Sequence, residues 1–267
     1  MNKSKIEWTD DTWNPVMGCT PASPGCAHCY ARTMMKRYAG LKGWPESPDT
    51  VTLFPERLEK PMHWRKPRKV FVCSMSDLFH DDVPDRFIQN VFETMRKAAG
   101  HTFQILTKRP ERMKESVGNY IYHRSVWKIS NKPLPNVWLG VTAENQEMWE
   151  RRKDALFATP AVVHFVSYEP ALGPLVFSGD DLKRLDWVIC GGETGPGARP
   201  MKYLWVASLR DQCQSAGVPF FFKGPGTAHY SRYGPGYRQL DGREWNEFPC
   251  KAAREHSTGY ANPRTTD

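Results

Sequence analysis

Short, nearly continuous apolar runs recur along the chain, and each ends in polar or charged residues. They are 69–73 (Lys-Val-Phe-Val-Cys), 102–106 (Thr-Phe-Gln-Ile-Leu), 136–141, 162–166, 187–190 and 218–222. Runs of this length, rich in β-branched and aromatic residues, predict strands. Because they are apolar at successive positions rather than alternate ones, the strands are expected to be covered on both faces, as in a parallel sheet. Helical spacing fills the intervals. Ile88, Val91, Phe92 and Met95 follow Pro84 and stop at Gly100; a helix starts at Glu111, a charged one runs to about Ala158, and another spans 203–216 before Gly217. With a first strand expected to end just before Cys19, the count is about six to seven strands separated by helices. This α/β alternation predicts a partial (β/α) barrel of parallel strands, with a doubly wound sheet as the alternative. In either, functional groups gather at the C-terminal edge of the strands.

The barrel is expected to occupy residues 1–223, interrupted by a Pro-, Lys- and Arg-rich connection at 41–68. Residues 224–267 form a Gly- and Tyr-rich extension expected to pack on the barrel, with a hairpin at 240–249 and a frayed tail. At 267 residues and 40% hydrophobic content the chain can bury a full core, which excludes a disordered tail. Lys and Arg number 37 against 29 acidic residues, a formal +8 that favours a polyanionic partner such as nucleic acid. Seven unevenly spaced cysteines argue against a secreted disulfide framework and for a reducing compartment. No apolar run has the ~18 residues of a membrane span. A cytoplasmic protein without membrane contact is the expectation.

Chemistry concentrates in 19–30, Cys-Thr-Pro-Ala-Ser-Pro-Gly-Cys-Ala-His-Cys-Tyr. Cys26 and Cys29 stand in a C-x-x-C pair, and Pro21, Ser23, Pro24 and Gly25 can fold Cys19 back toward them. A disulfide would leave one thiol over. Structural zinc takes four protein ligands, and the local fourth would have to be His28. A four-iron four-sulfur cluster held by three thiolates keeps one iron open to another ligand. The iron–sulfur cluster leads, with zinc and a redox thiol group as alternatives.

Several motifs carry a resemblance. They are 6–10 (Ile-Glu-Trp-Thr-Asp), 13–15 (Trp-Asn-Pro), the three cysteines with Tyr30 and Ala31, 106–112 (Leu-Thr-Lys-Arg-Pro-Glu-Arg), 140–145 (Gly-Val-Thr-Ala-Glu-Asn), 167–170 (Ser-Tyr-Glu-Pro) and 191–195 (Gly-Gly-Glu-Thr-Gly). Together they resemble the phage gp-thirty-seven/gp-sixty-eight-like proteins, a family of unknown function found in phages and bacteria. That family in turn resembles a divergent branch of the radical S-adenosylmethionine enzymes near spore photoproduct lyase. Two features depart from the usual radical-enzyme pattern: six residues separate Cys19 from Cys26 where three are common, and Tyr30 follows the last cysteine. Within the phage family the last strand usually ends in Lys-Gln-Trp-Gly, where this chain has 223–226, Lys-Gly-Pro-Gly.

The resemblance implies that Cys19, Cys26 and Cys29 ligate the cluster and that S-adenosylmethionine binds its open iron and is cleaved by one electron to a 5′-deoxyadenosyl radical. Ser74, Ser76 and Asp77 are then candidates for its amino group, Lys108 for its carboxylate, and Glu144 or Asn145 for its ribose. Gly191 and Gly192 would give close backbone approach to adenine or substrate; no Gly-Lys-Ser/Thr follows, so no nucleotide-triphosphate loop is expected. Glu169 and Glu193 are candidates for substrate binding or proton handling, and Cys73 or Cys190 for hydrogen-atom donation. Arg109, Arg199 and Lys223 would be cationic at the same rim, and His80 stands beside Asp81 and Asp82. The implied function is modification or repair of a nucleic acid base or nucleotide, with an external one-electron reductant. The alternatives are a non-catalytic nucleic-acid-binding protein holding a structural zinc or cluster, and a subunit that needs a protein partner.

Overall fold

The computed structural model describes residue 4 and residues 6–250. The elements in chain order are β1 (Asp11–Trp13), β2 (Val16–Met17), α1 (Tyr30–Tyr38), β3 (Thr52–Leu53), β4 (Lys69–Val72), α2 (Asp85–Lys97), β5 (Thr102–Thr107), α3 (Pro110–Val126) and β6 (Val137–Thr142). There follow α4 (Gln146–Ala158), β7 (His164–Tyr168), α5 (Gly179–Arg184), β8 (Trp187–Gly191), α6 (Tyr203–Ala216), β9 (Phe220–Gly224), α7 (Tyr230–Tyr233), β10 (Gln239–Leu240) and β11 (Arg243–Glu244).

Seven strands make one parallel sheet in the order β1-β4-β5-β6-β7-β8-β9, curled into a half-barrel. A doubly wound sheet reverses its strand order at a switch point; this order never does. The fold is the partial β/α barrel. Successive side chains of a strand point to opposite faces, and the sequence uses both. Val70, Val72, Phe103, Ile105, Leu139, Val141, Val166, Tyr168, Val188, Phe220 and Phe222 belong to the core shared with the helices. The alternate positions Phe71, Trp138, Phe165, Trp187, Ile189 and Phe221 form a second cluster, with Trp8, on the concave face. Trp187 sits centrally there, with ring centroids 6.1 Å from Trp8 and 5.9 Å from Trp138, both edge-on. Gly140 shares that face, and a Cβ there would come within 2.6 Å of the Phe165 ring, so only glycine fits.

Three details differ from the sequence expectation. β1 ends at Trp13 rather than next to the cysteines: after Asn14 and Pro15 the chain leaves the sheet and β2 pairs antiparallel with β3, a strand inside the 41–68 connection. Gly18 then turns with φ +89° against the Thr50 carbonyl, and Cys19 N donates to Pro48 O at 2.9 Å, so the connection supports the start of the cysteine loop. Second, β7 begins at His164, two residues later than its apolar run. Third, α5 was not expected, although Ser178 and Asp181 close a capping box at its start.

β10 and β11 pair as a hairpin, and Phe222 N donates to Trp245 O at 2.8 Å, joining it to β9. The expected frayed tail lies outside the described residues. Among the described residues, no helix is long and apolar enough to cross a membrane.

Candidate functional site

A cavity of about 220 Å³ opens at the C-terminal edge of the sheet. Its lining brings together residues far apart in sequence: the cysteine loop, the residues after β4, Lys108 and Arg109 after β5, Thr142, Ser167 and Glu169, Gly192 to Thr194, and Lys223. Trp8, Phe71 and Leu106 from the concave face contribute an apolar part of the wall.

The cysteine loop has little regular structure of its own. Pro24–Cys26 make one 3-10 turn, and Cys29 is the extended N-cap residue of α1. Side chains from the strand ends shape the rest. Arg109 donates to Thr20 O at 3.1 Å and lies 3.7 Å from Cys19 Sγ, while His80 Nε2 is 2.8 Å from the Thr20 hydroxyl. Arg109 is itself steered by Asp77 at 3.4 Å. Asp77 also accepts from the Thr107 hydroxyl at 2.7 Å, Phe79 N at 3.0 Å and Lys108 N at 3.0 Å.

Cys19, Cys26 and Cys29 are free thiols, partly exposed and all in the cavity lining. Burial and the nearby Asp77 carboxylate push the Cys19 thiol up to about 11, against the pull of Arg109. Burial acts in the same direction on Cys26, but the Lys108 ammonium and hydrogen bonding from Ala22 and Ser23 bring it below its ordinary value. Among the described residues, no three His, Cys, Asp or Glu side chains are grouped so as to hold a metal ion.

The structure divides the sequence candidates. Ser74, Ser76, Asp77, Lys108, Glu169, Gly192, Glu193 and Cys73 line the cavity with the three cysteines; Cys190, Glu144, Asn145 and Gly191 do not. Cys190 falls on the helix-facing parity of β8 within the outer core, and burial raises its thiol well above the ordinary range. Asn145 caps α4 by accepting from Met148 N at 3.0 Å. Glu144 is fully buried, pairs with Arg152 at 2.9 Å and accepts from Ser23 of the cysteine loop. Glu193 likewise faces the loop: it pairs with Arg199, accepts from Arg199 N at 2.8 Å and meets His28 Nδ1 at 3.0 Å. Glu169 and Lys223 pair with each other at 2.5 Å. Cys73, at φ +59°, is pushed up to about 12 by burial.

Two hydroxyls within the sequence motifs join the site without having been candidates for it. Thr142 and Ser167 are register partners on β6 and β7, line the cavity and make no side-chain hydrogen bond among the described residues. The signal was available, since they share the strand parity of Trp138 and Phe165 on the concave face. Lys108 also lacks an ion-pair partner among the described residues and lies in the same lining.

A family model described as "Protein of unknown function (DUF5131)" matches residues 3–249. No curated protein matches the chain. Among solved structures, a cysteine-to-serine mutant of spore photoproduct lyase is similar at 11% identity with a TM-score of 0.43, over 72% of this chain and 58% of that one. The chain thus spans less than two thirds of that protein's length.

Proposed function

The chain belongs to the family DUF5131, and for this member we propose a radical S-adenosylmethionine enzyme that modifies or repairs a nucleic acid base or nucleotide. One observation carries the reading: three free thiols on a single loop line the same cavity as an unpaired lysine and two unpaired hydroxyls. The donor set suits a four-iron four-sulfur cluster, which takes thiolates, with Cys19, Cys26 and Cys29 as ligands. When bound, cluster and S-adenosylmethionine supply one-electron chemistry that side chains cannot.

The chain's own residues would bind and orient. Lys108 offers an ammonium for a carboxylate. Thr142 and Ser167 offer hydroxyls for a ribose, in place of Glu144 and Asn145. Ser74 and Ser76 offer hydroxyl acceptors for an amino group, while Asp77, engaged by Arg109, Thr107 and two backbone amides, serves to hold Arg109 against the loop. Glu169 and Lys223 offer paired charge, with Gly192 in the same lining, for a polar heterocycle that Trp8 and Phe71 could face. Cys73 is the thiol available to the cavity for hydrogen-atom donation. The net charge of +8 supports a polyanionic substrate, and an external one-electron reductant is required.

His28 favours a second reading. A histidine between two cysteines, with Nδ1 on a carboxylate at 3.0 Å, resembles the outer-shell arrangement of a zinc-bound histidine. That would make the chain a non-catalytic nucleic-acid-binding protein with structural zinc. Anaerobic reconstitution with iron and sulfide in competition with zinc separates the two. About four irons per chain with broad visible absorption supports the cluster; one zinc and no such absorption supports the second reading.

A further inference from the structure

We infer that Glu144 and Glu193 are positioning residues that hold the cysteine loop in shape from two sides before any metal binds. The cause stands on geometry alone, and its consequence for cluster retention rests on the proposed cluster.

On one side the Glu144 carboxylate, fully buried at the end of β6, is fixed by Arg152 Nη1 at 2.9 Å, and Arg152 also donates to Thr142 O at 2.7 Å. From that anchor Glu144 accepts the Ser23 hydroxyl. The loop backbone also packs directly on the carboxyl: a Cβ at Gly25 would come within 2.6 Å of Glu144 Cγ and 2.8 Å of Cδ. Because Arg152 holds this side chain, it cannot swing aside cheaply. Gly25 is therefore glycine so that the loop can touch Glu144.

The second hold is at the end of β8. Glu193, 4% exposed, receives Arg199 N and Arg199 Nε at 2.8 Å each and His28 Nδ1 at 3.0 Å. Arg199 Nη2 then reaches Pro24 O at 3.0 Å, so the same ion pair grips the loop at two points. The backbone beneath is braced as well: Thr227 N donates to Glu193 O at 3.0 Å, and a Cβ at Gly226 would run into that carbonyl. The two holds bracket Cys26, with Ser23, Pro24 and Gly25 before it and His28 after it. A Pro- and Gly-rich loop with only one 3-10 turn would otherwise sample many shapes; the two holds narrow that set, so less entropy remains to be lost when the thiols are drawn together on a metal.

Hydrogen–deuterium exchange on the metal-free full chain tests the cause. Ser23→Ala removes one hold without touching the buried Glu144–Arg152 pair, Gly25→Ala pushes the loop off Glu144, and Glu193→Gln weakens the other hold while keeping its shape. Each should speed exchange of the amides of residues 22–29 by about tenfold, as expected for losing a hydrogen bond to a charged group, with strands β5 to β7 unchanged. After reconstitution, the same variants should lose iron to a chelator several-fold faster and show an altered electron-paramagnetic-resonance line shape, and Glu193→Asp should restore part of the retention. Wild-type exchange of 22–29 in both Ser23→Ala and Gly25→Ala overturns the inference, as does acceleration that spreads equally through β5 to β7. If the wild-type chain assembles no cluster, the proposed function fails, while the exchange comparison still decides this inference.

Discussion

Around the cysteine loop each buried carboxylate has a cation beside it: Asp77 with Arg109, Glu144 with Arg152 and Glu193 with Arg199. Three side chains at the ends of β5 to β7 differ: Lys108, Thr142 and Ser167 line the same cavity with no side-chain hydrogen bond or ion pair among the described residues. Recruiting a paired group as a ligand means breaking an existing bond in a low-dielectric setting, whereas an unpaired one meets its first partner in the ligand. The first wall is suited to holding a shape and the second to binding.

The largest break in this contrast is expected from Arg152→Ala. It leaves Glu144 buried and unpaired, so stability should fall by about 3–5 kcal/mol in chemical denaturation. An unchanged midpoint would show that the pair holds nothing.

A smaller effect should appear in the pH dependence of stability. Burial alone would raise the Glu193 carboxyl, but the hydrogen bonds from Arg199 and His28 bring it to about 2 from an ordinary 4.5. A carboxyl lowered on folding contributes fully above its unfolded value and is lost as pH falls through the folded one. The contribution, on the order of 3 kcal/mol, should therefore disappear between pH 4.5 and about 2. Denaturation of Glu193→Gln across that window should show a flatter profile than the wild type.

The smallest change in stability belongs to the other wall. Lys108→Ala should shift stability by less than about 0.5 kcal/mol yet weaken S-adenosylmethionine binding about tenfold, measured by calorimetry on the reconstituted protein. A large loss of stability with unchanged binding would reverse the roles assigned to the two walls.

The sequence made one of these walls easier to read than the other. Parallel strands covered on both faces leave continuous apolar runs, so β4, β5, β6, β8 and β9 could be located from short apolar stretches alone, Val-Phe-Val in β4 and Phe-Phe-Phe in β9 being the clearest. The direction in which a strand-end residue points depends on parity, which such runs conceal. Cys190 and Ser167 both look like strand-end candidates, but only Ser167 shares the concave-face parity of Phe165. The partners of Glu144 and Glu193 were harder still. Ser23 lies 121 positions before Glu144 and His28 lies 165 before Glu193, so their pairing follows from barrel curvature that no local spacing encodes. β2 and β3, two residues each, leave too short a pattern to register.

Under the proposed function, the three cysteines equip this cavity for S-adenosylmethionine chemistry. The most direct test is anaerobic reconstitution with iron and sulfide, reduction with dithionite in the presence of S-adenosylmethionine, and quantification of 5′-deoxyadenosine. The wild-type chain should form it and the Cys19→Ala/Cys26→Ala/Cys29→Ala variant should not. A reconstituted wild-type chain that yields no more 5′-deoxyadenosine than the triple variant would contradict the account.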